Sequence, residues 1–492
     1  MNVASCVRVH ARRMPDRPAL IEDRETIGWA ELDRRIDATV ARLRTHDVRA
    51  GDVVVISLAE GILQVVLAFA VMRMGAAVCA LDWRSKPAER KALVETLSPR
   101  LFLADRPVSG LGAATQQVDA HWMRPAGAQG DDAPGSIDAA APAGDGEQAA
   151  ILLLSSGTTG LPKATLISHR AAAWRGVIRM ANLGFGPATR VLSAMPLSTS
   201  AGISGLLGQI LAGATIVFHP TIYAPDEIVA ALQRERASHV ALVPTVLRWM
   251  LELPAGAGPL LPDLTCLLAL GAAFHAEEKH AVMARISPYL YENYGSAGTG
   301  TICTATPADL QAVPQSVGRP PLFTSIEIVG ERGETLAAGE IGRVRVRTPG
   351  AASGYFAGSG TQERNEVFDA GSVYPGDLGR IDSEGRLFLE GRAANLILRG
   401  GMNVYPEEIE RILLLHPAVA DAAVIGRPDA SLGEVPVALI VARGTPGPAE
   451  LLVHCRNHLS AGKIPVAFQT VAALPRTAAG KIRRSELAAL LR

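Results

Sequence analysis

The amino-acid sequence predicts an α/β protein with a large N-terminal domain of doubly wound parallel sheets and a small α+β domain after it. Strand-like apolar runs alternate with helical patterns twice, over residues 52–104 and 149–273. From about residue 318, short strands alternate with tight turns, which is typical of a small antiparallel sheet or barrel. With 492 residues, of which 48% are hydrophobic and 20% charged, the chain is long enough for two or three domains with large cores.

The first alternation has the order strand, helix, strand, helix, strand. Residues 52–58 (DVVVISL) predict a buried strand, and residues 61–74 have apolar positions at helical spacing. The strand predicted at 76–81 is followed by a Pro-initiated amphipathic helix at 87–98, and then by the strand RLFLAD. Strands joined through helices pair in parallel, so this segment predicts a parallel sheet.

The second alternation follows residues 107–148, which are rich in Ala, Gly, Asp and Pro and predict a surface excursion or linker. The run AAILLLSS predicts a strand, and a helix is expected to begin near Ser168. Four more elements are predicted: strands at 216–220, 239–244 and 264–273, and a helix at 225–237. This repeated order is the basis for the doubly wound prediction.

The third region predicts the domain organisation. An N-terminal domain is expected over residues 1–391, with a small β subdomain at about 318–391, and a compact C-terminal domain over 392–492. The first helix of the C-terminal domain is predicted from Pro406, since proline suits the first helical turn and the acidic residues that follow favour its positive end.

Composition excludes several classes of function. The formal net charge is zero, which argues against nucleic acid or an anionic membrane as a partner. The most apolar long segment, 61–81, is interrupted by Gln64 and Arg73, so no membrane span is expected. The five cysteines are scattered without a C-x-x-C pair, and the first residues lack an apolar core of signal-peptide length. A cytoplasmic protein with reduced thiols is predicted, either a monomer or a homodimer.

The stretch SSGTTGLPK at 155–163 has the composition of an anion-binding loop. Its glycines permit close backbone approach, its hydroxyls are donors, and Lys163 supplies a mobile ammonium group. It departs from the P-loop pattern because Gly160 is followed by Leu and Pro. Lysine is rare here, with six among 48 basic residues, so each lysine is a candidate for chemistry that arginine cannot replace. Taken alone, the loop fits a phosphate site or a solvated turn.

A second lysine motif, LPRTAAGKIRR at 474–484, decides between these interpretations. Together the two stretches resemble the adenylate-forming superfamily, which includes the acyl-CoA synthetases. Further segments are similar to family motifs in the family's order, and they cover essentially the whole chain: PLSTSAG at 196–202, LGAAF at 270–274, ENYGSAG at 292–298, YPGDLGRID at 374–382 and GRAANLILRGGMNVYPEEIE at 391–410.

The resemblance implies an ATP-dependent reaction and a mobile α+β C-terminal domain. A carboxylic acid attacks the α-phosphate of ATP to give an acyl-adenylate and pyrophosphate, and a thiol then displaces AMP. Lys481 and Lys163 are the implied catalytic residues, because both steps gather negative charge that cations must stabilise. The implied ATP-binding residues are Ser155, Ser156, Gly157, Thr158, Thr159, Gly160, Lys163, Gly271, Ala272, Asn293, Tyr294, Gly295, Ser296, Asp377, Arg392 and Lys481. Those implied for the acid and the thiol are Thr199, Gly202, Gly271, Gly400 and Gly401.

Four positions depart from the family pattern. Gly298 stands where a glutamate usually helps to hold Mg²⁺, so Thr158 and Thr159 are the predicted metal ligands. Thr199 is a small residue at the gate position, which is often His. Ala394 and Leu398 replace the usual charged residues of the hinge and the CoA-forming members.

These departures leave three functions open. The first is an AMP-forming acid:CoA ligase that uses ATP, Mg²⁺ and coenzyme A. The second is a free-standing adenylation enzyme that loads the phosphopantetheine of an acyl carrier protein. The third is a degenerate nucleotide- or acyl-binding protein with weak catalysis. The identity of the acid cannot be read from the sequence, although the apolar lining segments suit a fatty, alicyclic or aryl acid.

Overall fold

The computed structural model describes residues 1–59, 61–124, 146–156, 162–219, 224–356, 367–369, 371–476 and 482–491. The first part, up to residue 124, contains α1 (Ser5–Arg13), β1 (Pro18–Glu22), β2 (Glu25–Gly28), α2 (Trp29–Thr45), β3 (Val53–Ser57), α3 (Ile62–Arg73), β4 (Ala77–Ala80), α4 (Pro87–Leu97), β5 (Leu101–Ala104), β6 (Thr115–Gln117) and a 3-10 turn at Ala120–Met123.

The second part has the elements β7 (Ala149–Ser156), β8 (Pro162–Ser168), α5 (His169–Leu183), β9 (Arg190–Ser193), α6 (Ser200–Ala212), β10 (Thr215–Phe218), α7 (Pro225–Arg234), β11 (His239–Leu242), α8 (Pro244–Leu251), β12 (Cys266–Leu270), α9 (Ala276–Arg285), β13 (Leu290–Ser296), β14 (Gly300–Ala305) and α10 (Pro307–Ala312).

The third part continues with β15 (Ser325–Val329), β16 (Gly342–Arg347), β17 (Gly354–Tyr355), β18 (Phe368–Asp369), β19 (Ser372–Val373), β20 (Asp377–Ile381) and β21 (Leu387–Arg392). The last part contains β22 (Ile397–Arg399), β23 (Met402–Val404), α11 (Pro406–Leu414), β24 (Val419–Asp429), β25 (Gly433–Ala442), α12 (Pro448–His458), a 3-10 turn at Ala461–Lys463, β26 (Ala467–Thr470) and α13 (Arg484–Leu487).

Two large sheets form the N-terminal region, and they confirm the predicted doubly wound α/β fold. One has the order β14-β13-β12-β11-β9-β10-β1-β2, and the other β17-β8-β7-β4-β3-β5-β6. Their inner strands pair in parallel, while β1–β2, β13–β14, β7–β8 and β8–β17 are antiparallel. One apolar cluster joins residues of both sheets with α2, α3 and α6, so the main core lies between the sheets.

Helix α3 is buried on nearly all sides, as expected for a core helix. Its terminal Arg73 is 5% exposed and is satisfied by the carboxylates of Asp33, at 2.5 Å, and Asp37, at 2.8 Å. No helix in the described part of the chain is long and apolar enough to cross a membrane.

A third, antiparallel sheet confirms the expected short strands after residue 318. Its order is β18-β19-β16-β20-β21, with β15 also paired to β16. In this sheet the first residue of β20, Asp377, is the register partner of the last residue of β21, Arg392. The pairing therefore brings together two of the predicted ATP-binding residues that are distant in sequence.

The last sheet has the order β23-β22-β25-β24, with β26 parallel to β25, and α11 packs on β24. The predicted helix begins at Pro406 as expected. The proposed domain boundary at residue 392 coincides with the end of β21, and beyond it the Asn395 side chain donates to Glu407 of α11 at 2.8 Å.

Two expectations differ from the structure in detail. The helix expected at 225–237 ends at Arg234, because the chain turns at Arg236, which has a φ of 48°. The segment expected to be a surface excursion, 107–148, contains β6 and a 3-10 turn, while its residues 125–145 lie outside the described part.

Candidate active site

The predicted phosphate loop connects two antiparallel strands. Ser155 near the end of β7 is the register partner of Lys163 in β8, so the described ends of this segment pair antiparallel. A P-loop is instead followed by a helix whose N-terminus faces the phosphates. Lys163 is half-buried, and its ammonium lies 6.0 Å from the centre of the Tyr355 ring. The predictions for Gly157, Thr158, Thr159 and Gly160, and for the hydroxyls of Ser155 and Ser156, fall outside the described residues and side chains.

The central feature of the site is a contact between Asp377, Tyr294 and Arg392. The Tyr294 hydroxyl donates to Asp377 Oδ2, and Arg392 Nε lies 2.8 Å from Asp377 Oδ1. Asp377 is 7% exposed, whereas the Arg392 side chain is 53% exposed. Each carboxylate oxygen can accept more than one hydrogen bond. The structure thus brings together three of the predicted ATP-binding residues.

Tyr294 is held rigidly at both ends. Its ring packs against an apolar cluster that includes Ile302 and Cys303 of β14. Burial and the neighbouring Asp377 carboxylate raise the pKa of Tyr294 well above its usual value, so the hydroxyl stays protonated and remains a donor. The predicted stacking of this ring on adenine stays a prediction.

The rest of the adenine segment lies on β13 and in the turn after it. Asn293 donates from Nδ2 to the Cys303 carbonyl at 3.1 Å. The Ser296 and Thr299 hydroxyls are 2.9 Å apart, and each accepts from the other residue's backbone N–H. Gly295 lies between Tyr294 and Ser296 on β13. The turn is closed by its own side chains, which fixes the backbone that the predicted nucleotide would meet.

The gate segment is organised by Thr199, which caps helix α6. Its hydroxyl accepts from the Gly202 N–H at 3.0 Å and donates to the Pro196 carbonyl at 2.7 Å. A Cβ atom at Gly202 would lie 2.0 Å from the Pro196 oxygen, so only glycine fits this turn. The small gate residue therefore has a structural task as well as its predicted contact with the acid.

The other predicted backbone contacts are at Gly271 and Ala272, directly after β12. Gly271 has a φ of 93°, in the region that favours glycine, and it is exposed, while Ala272 is half-buried. Glycines 400 and 401 form the two-residue turn between β22 and β23, with φ of 56° and 81°. Two positive φ values define a type I′ turn, so hairpin geometry already requires both glycines.

The position of the usual metal-binding glutamate is tightly enclosed. A Cβ at Gly298 would lie 3.1 Å from Val373 Cγ1 and 3.7 Å from the Phe368 ring. Among the described residues there is no group of three or more His, Cys, Asp or Glu side chains that could hold a metal ion.

The terminal lysine, Lys481, lies outside the described residues, but its flanks are described. Arg476 and Ile482 form an isolated β-bridge on either side of it. Arg484 binds both carboxylate oxygens of Glu410 at 2.8 Å, which ties this end of the chain to α11. The bridge brings the two ends of the lysine segment together.

Sequence reasoning missed two buried arginines of α5, Arg175 and Arg179. Arg175 donates to the carbonyls of Gly350 at 2.7 Å and Ala297 at 2.9 Å, and so holds the turn of the adenine segment. Arg179 reaches the Ala201 carbonyl at the start of α6 and the Asn293 side chain, both at 3.4 Å. They lie four residues apart on a helix with four alanines, and no motif marks them as buried.

Comparisons with known proteins identify the family of this chain. The family of AMP-binding enzymes matches residues 7–356, and the AMP-binding enzyme C-terminal domain matches residues 408–481. The chain belongs to the AMP-binding enzyme family. It is 28% identical to a 2-succinylbenzoate–CoA ligase of Bacillus licheniformis over 99% of this chain and 100% of the relative. It is 30% identical to an indoleacetate–CoA ligase of Aromatoleum aromaticum over 100% of this chain and 98% of the relative.

A solved member of the AMP-binding enzyme family extends the comparison to the reaction. The o-succinylbenzoate CoA synthetase of Bacillus subtilis, in complex with its acyl-adenylate intermediate, matches with a TM-score of 0.88 and 28% identity over 98% of this chain and 97% of that one. The same synthetase in complex with ATP and magnesium also matches with a TM-score of 0.88. The predicted class, an ATP-dependent acid–thiol ligase of the AMP-forming type, is confirmed.

Proposed function

We propose that this enzyme converts a carboxylic acid, ATP and coenzyme A into an acyl-CoA, AMP and pyrophosphate, and that it does so in the cytoplasm. The observation that carries the proposal is the contact of Asp377 with Tyr294 and Arg392. A largely buried carboxylate, beside a rigid aromatic ring and an exposed guanidinium, suits a ribose with its attached base and phosphate.

In the proposed first step, a carboxylate oxygen of the acid attacks the α-phosphorus of ATP, and the bond to the bridging oxygen of pyrophosphate breaks. Lys163 and the hairpin loop at 157–161 stabilise the β- and γ-phosphates. Lys481 lies between the carboxylate and the α-phosphate, where a compact ammonium offsets the charge that develops. In the second step the thiol sulfur attacks the acyl carbon and AMP leaves.

Magnesium enters this proposal as a companion of ATP. Mg²⁺ keeps several waters and is usually bound by one or two carboxylates together with substrate phosphates. Because the described side chains include no suitable cluster, phosphate oxygens and waters supply most of its ligands. The hydroxyls of Thr158 and Thr159 are the proposed protein ligands.

A second acceptor, the phosphopantetheine of a carrier protein, is favoured by one surface feature. Leu398, Met402 and Leu432 are 53%, 45% and 37% exposed, and they flank the turn at Gly400 and Gly401. An apolar surface beside the proposed thiol entrance suits a protein-borne thiol, because free CoA would not cover it. The relatives act by name on acids as different as 2-succinylbenzoate and indoleacetate, so they do not select one acid for this chain.

The experiment is ATP–pyrophosphate exchange over a broad acid library, followed by thioester formation with CoA and, separately, with a phosphopantetheinylated carrier protein. Acid-dependent exchange and acyl-CoA formation are expected. If exchange occurs but the acyl group is transferred only to the carrier protein, the acceptor is the carrier's phosphopantetheine and not coenzyme A. No exchange with any acid would overturn the proposed catalysis and favour a nucleotide- or acyl-binding protein. A matched control is Asp382→Asn, at an exposed turn where that aspartate binds Arg386.

A further inference from the structure

Arg179 is a buried cation without a carboxylate partner in the described part of the chain. It is 5% exposed, and neither an aspartate nor a glutamate there forms an ion pair with it. Its Nε has no hydrogen-bond partner among the described residues, and its two other contacts, at 3.4 Å, are longer than the usual 2.7–3.2 Å. A buried guanidinium in this state is costly unless something else compensates its charge.

A thiol that acts electrostatically on Arg179 supplies no negative charge. Cys266 of β12 lies close enough to act on Arg179, but burial raises the pKa of its thiol to about 12. Burial lowers the pKa of Arg179 to about 10, which leaves the guanidinium protonated at neutral pH. The charge of Arg179 is therefore present, and no described side chain compensates it.

A second unsatisfied donor lies on the facing helix. The Ser204 hydroxyl is buried, with the residue 5% exposed, and it has no hydrogen-bond partner among the described residues. Ala201, Ser204 and Gly205 lie three and four residues apart on α6 and so share one face. Arg179 reaches the Ala201 carbonyl, and a Cβ at Gly205 would lie 3.7 Å from Arg179 Nη1, so this face is the one turned to Arg179.

These donors lie beside both segments that are proposed to hold the acid. Helix α6 begins directly after the gate residue Thr199. An apolar cluster that contains Leu268, Leu270, Met195 and Ala201 extends from the end of β12, next to Gly271, to the start of α6. Arg179 and Ser204 are thus polar groups at the margin of an apolar wall.

We infer that Arg179 and Ser204 bind a second carboxylate on the acid, so that the enzyme's substrate class is dicarboxylic acids, one end being adenylated and the other held by these two residues. This inference rests on the proposed function. An ionised carboxylate accepts hydrogen bonds from Arg179 Nε, a second guanidinium nitrogen and Ser204 Oγ, and it neutralises the buried charge. An acid that ends in a methyl group or an ester would leave the cation unpaired.

The test compares short and medium α,ω-dicarboxylic acids with their monomethyl esters in pyrophosphate exchange. The wild type is expected to prefer a diacid by about tenfold to a hundredfold in kcat/KM, as for one buried hydrogen bond to a charged group. Arg179→Met should lower the ratio of kcat/KM for the diacid to that for the ester by that factor, and Arg179→Lys should recover part of this ratio. Wild-type preference for the ester of every pair, or an unchanged preference in Arg179→Met, would overturn the inference.

Two further measurements separate the inference from catalysis and from folding. The diacid should raise the thermal unfolding temperature of the wild type. It should leave that of Arg179→Met unchanged and raise that of Ser204→Ala by less. This shift without any exchange would support the binding site while the proposed function fails, and no shift with any diacid would refute the site. Arg175→Met is the matched buried arginine one turn away, and it should weaken ATP binding while the ratio of diacid to ester is retained.

Discussion

Replacing Asp377 with Asn tests the predicted ribose contact while keeping the size of the side chain nearly unchanged. The amide keeps one acceptor oxygen and replaces the other with a donor, so either Tyr294 or Arg392 loses its partner. The Arg392 contact is half-exposed and contributes at most about 1 kcal/mol, whereas the more buried Tyr294 bond contributes about 1.5–3 kcal/mol. The amide oxygen should therefore stay with Tyr294, and the loss of folding stability should be about 1 kcal/mol.

The loss of ATP affinity should be larger. Two ribose hydroxyls that donate to an ionised carboxylate contribute about 3 kcal/mol together, so KM for ATP should rise by about a hundredfold. Pyrophosphate exchange with ATP, 2′-deoxy-ATP and 3′-deoxy-ATP measures this directly. The wild type should discriminate against the deoxy analogues, and Asp377→Asn should lose that discrimination. Asp382→Asn is the control, with unchanged KM values. If Asp377→Asn still discriminates as the wild type does, the ribose assignment is wrong.

Three further predictions concern the metal, the two half-reactions and pH. Gly298→Glu should lower the Mg²⁺ concentration for half-maximal exchange by about tenfold, the value of one charge-assisted contact, although the Val373 side chain must shift to make room. Gly298→Gln is the uncharged control, and an equal effect in both variants would contradict a role of the glutamate in metal binding. Lys481→Ala should lower the rate of adenylation by about a hundredfold to a thousandfold while thioester formation from supplied acyl-adenylate is retained, and a loss of both steps would argue against its proposed position. Burial lowers the pKa of His169 to about 4 from 6.5, so the unfolded chain binds the proton first as pH falls. About 3 kcal/mol of folding stability, complete above pH 6.5, is therefore lost as the pH falls towards 4. Urea unfolding of His169→Gln should show a correspondingly weaker pH dependence, and the same slope as the wild type would refute this.

Local patterns were sufficient to predict most of the fold. The alternation of strands and helices depends on short-range periodicity, so β3, α3, β4, α4 and β5 were predicted to within a residue or two of their observed limits. The predicted end of α7 was wrong, because Arg236 adopts the left-handed conformation although it is neither glycine nor asparagine, the residues that usually indicate it. The edge strands β17 and β18, of two residues each, are too short for any periodicity to indicate them.

The candidate site divides in a similar way. Motif resemblance was sufficient to single out Tyr294, Asp377 and Arg392, but their mutual contact depends on the register of β20 and β21 and on the packing of β13 beside that sheet. Arg175 and Arg179 carried no motif, and the sequence alone cannot distinguish a buried arginine from the exposed arginines that are common in this chain. Only the packing of α5 against α6 and β14 reveals that their charges are enclosed.

Helix α5 carries a constraint on how this enzyme can be redesigned. One turn of the helix holds the turn of the adenine segment through Arg175, and the next reaches Ala201 in the first turn of α6 through Arg179. A change that rotates or translates α5 therefore alters the nucleotide and acid ends of the site at once. Libraries that seek a new acid preference should vary α6 and the strand residues of β12 and keep the α5 backbone constant, since selectivity can then change without a penalty in ATP use.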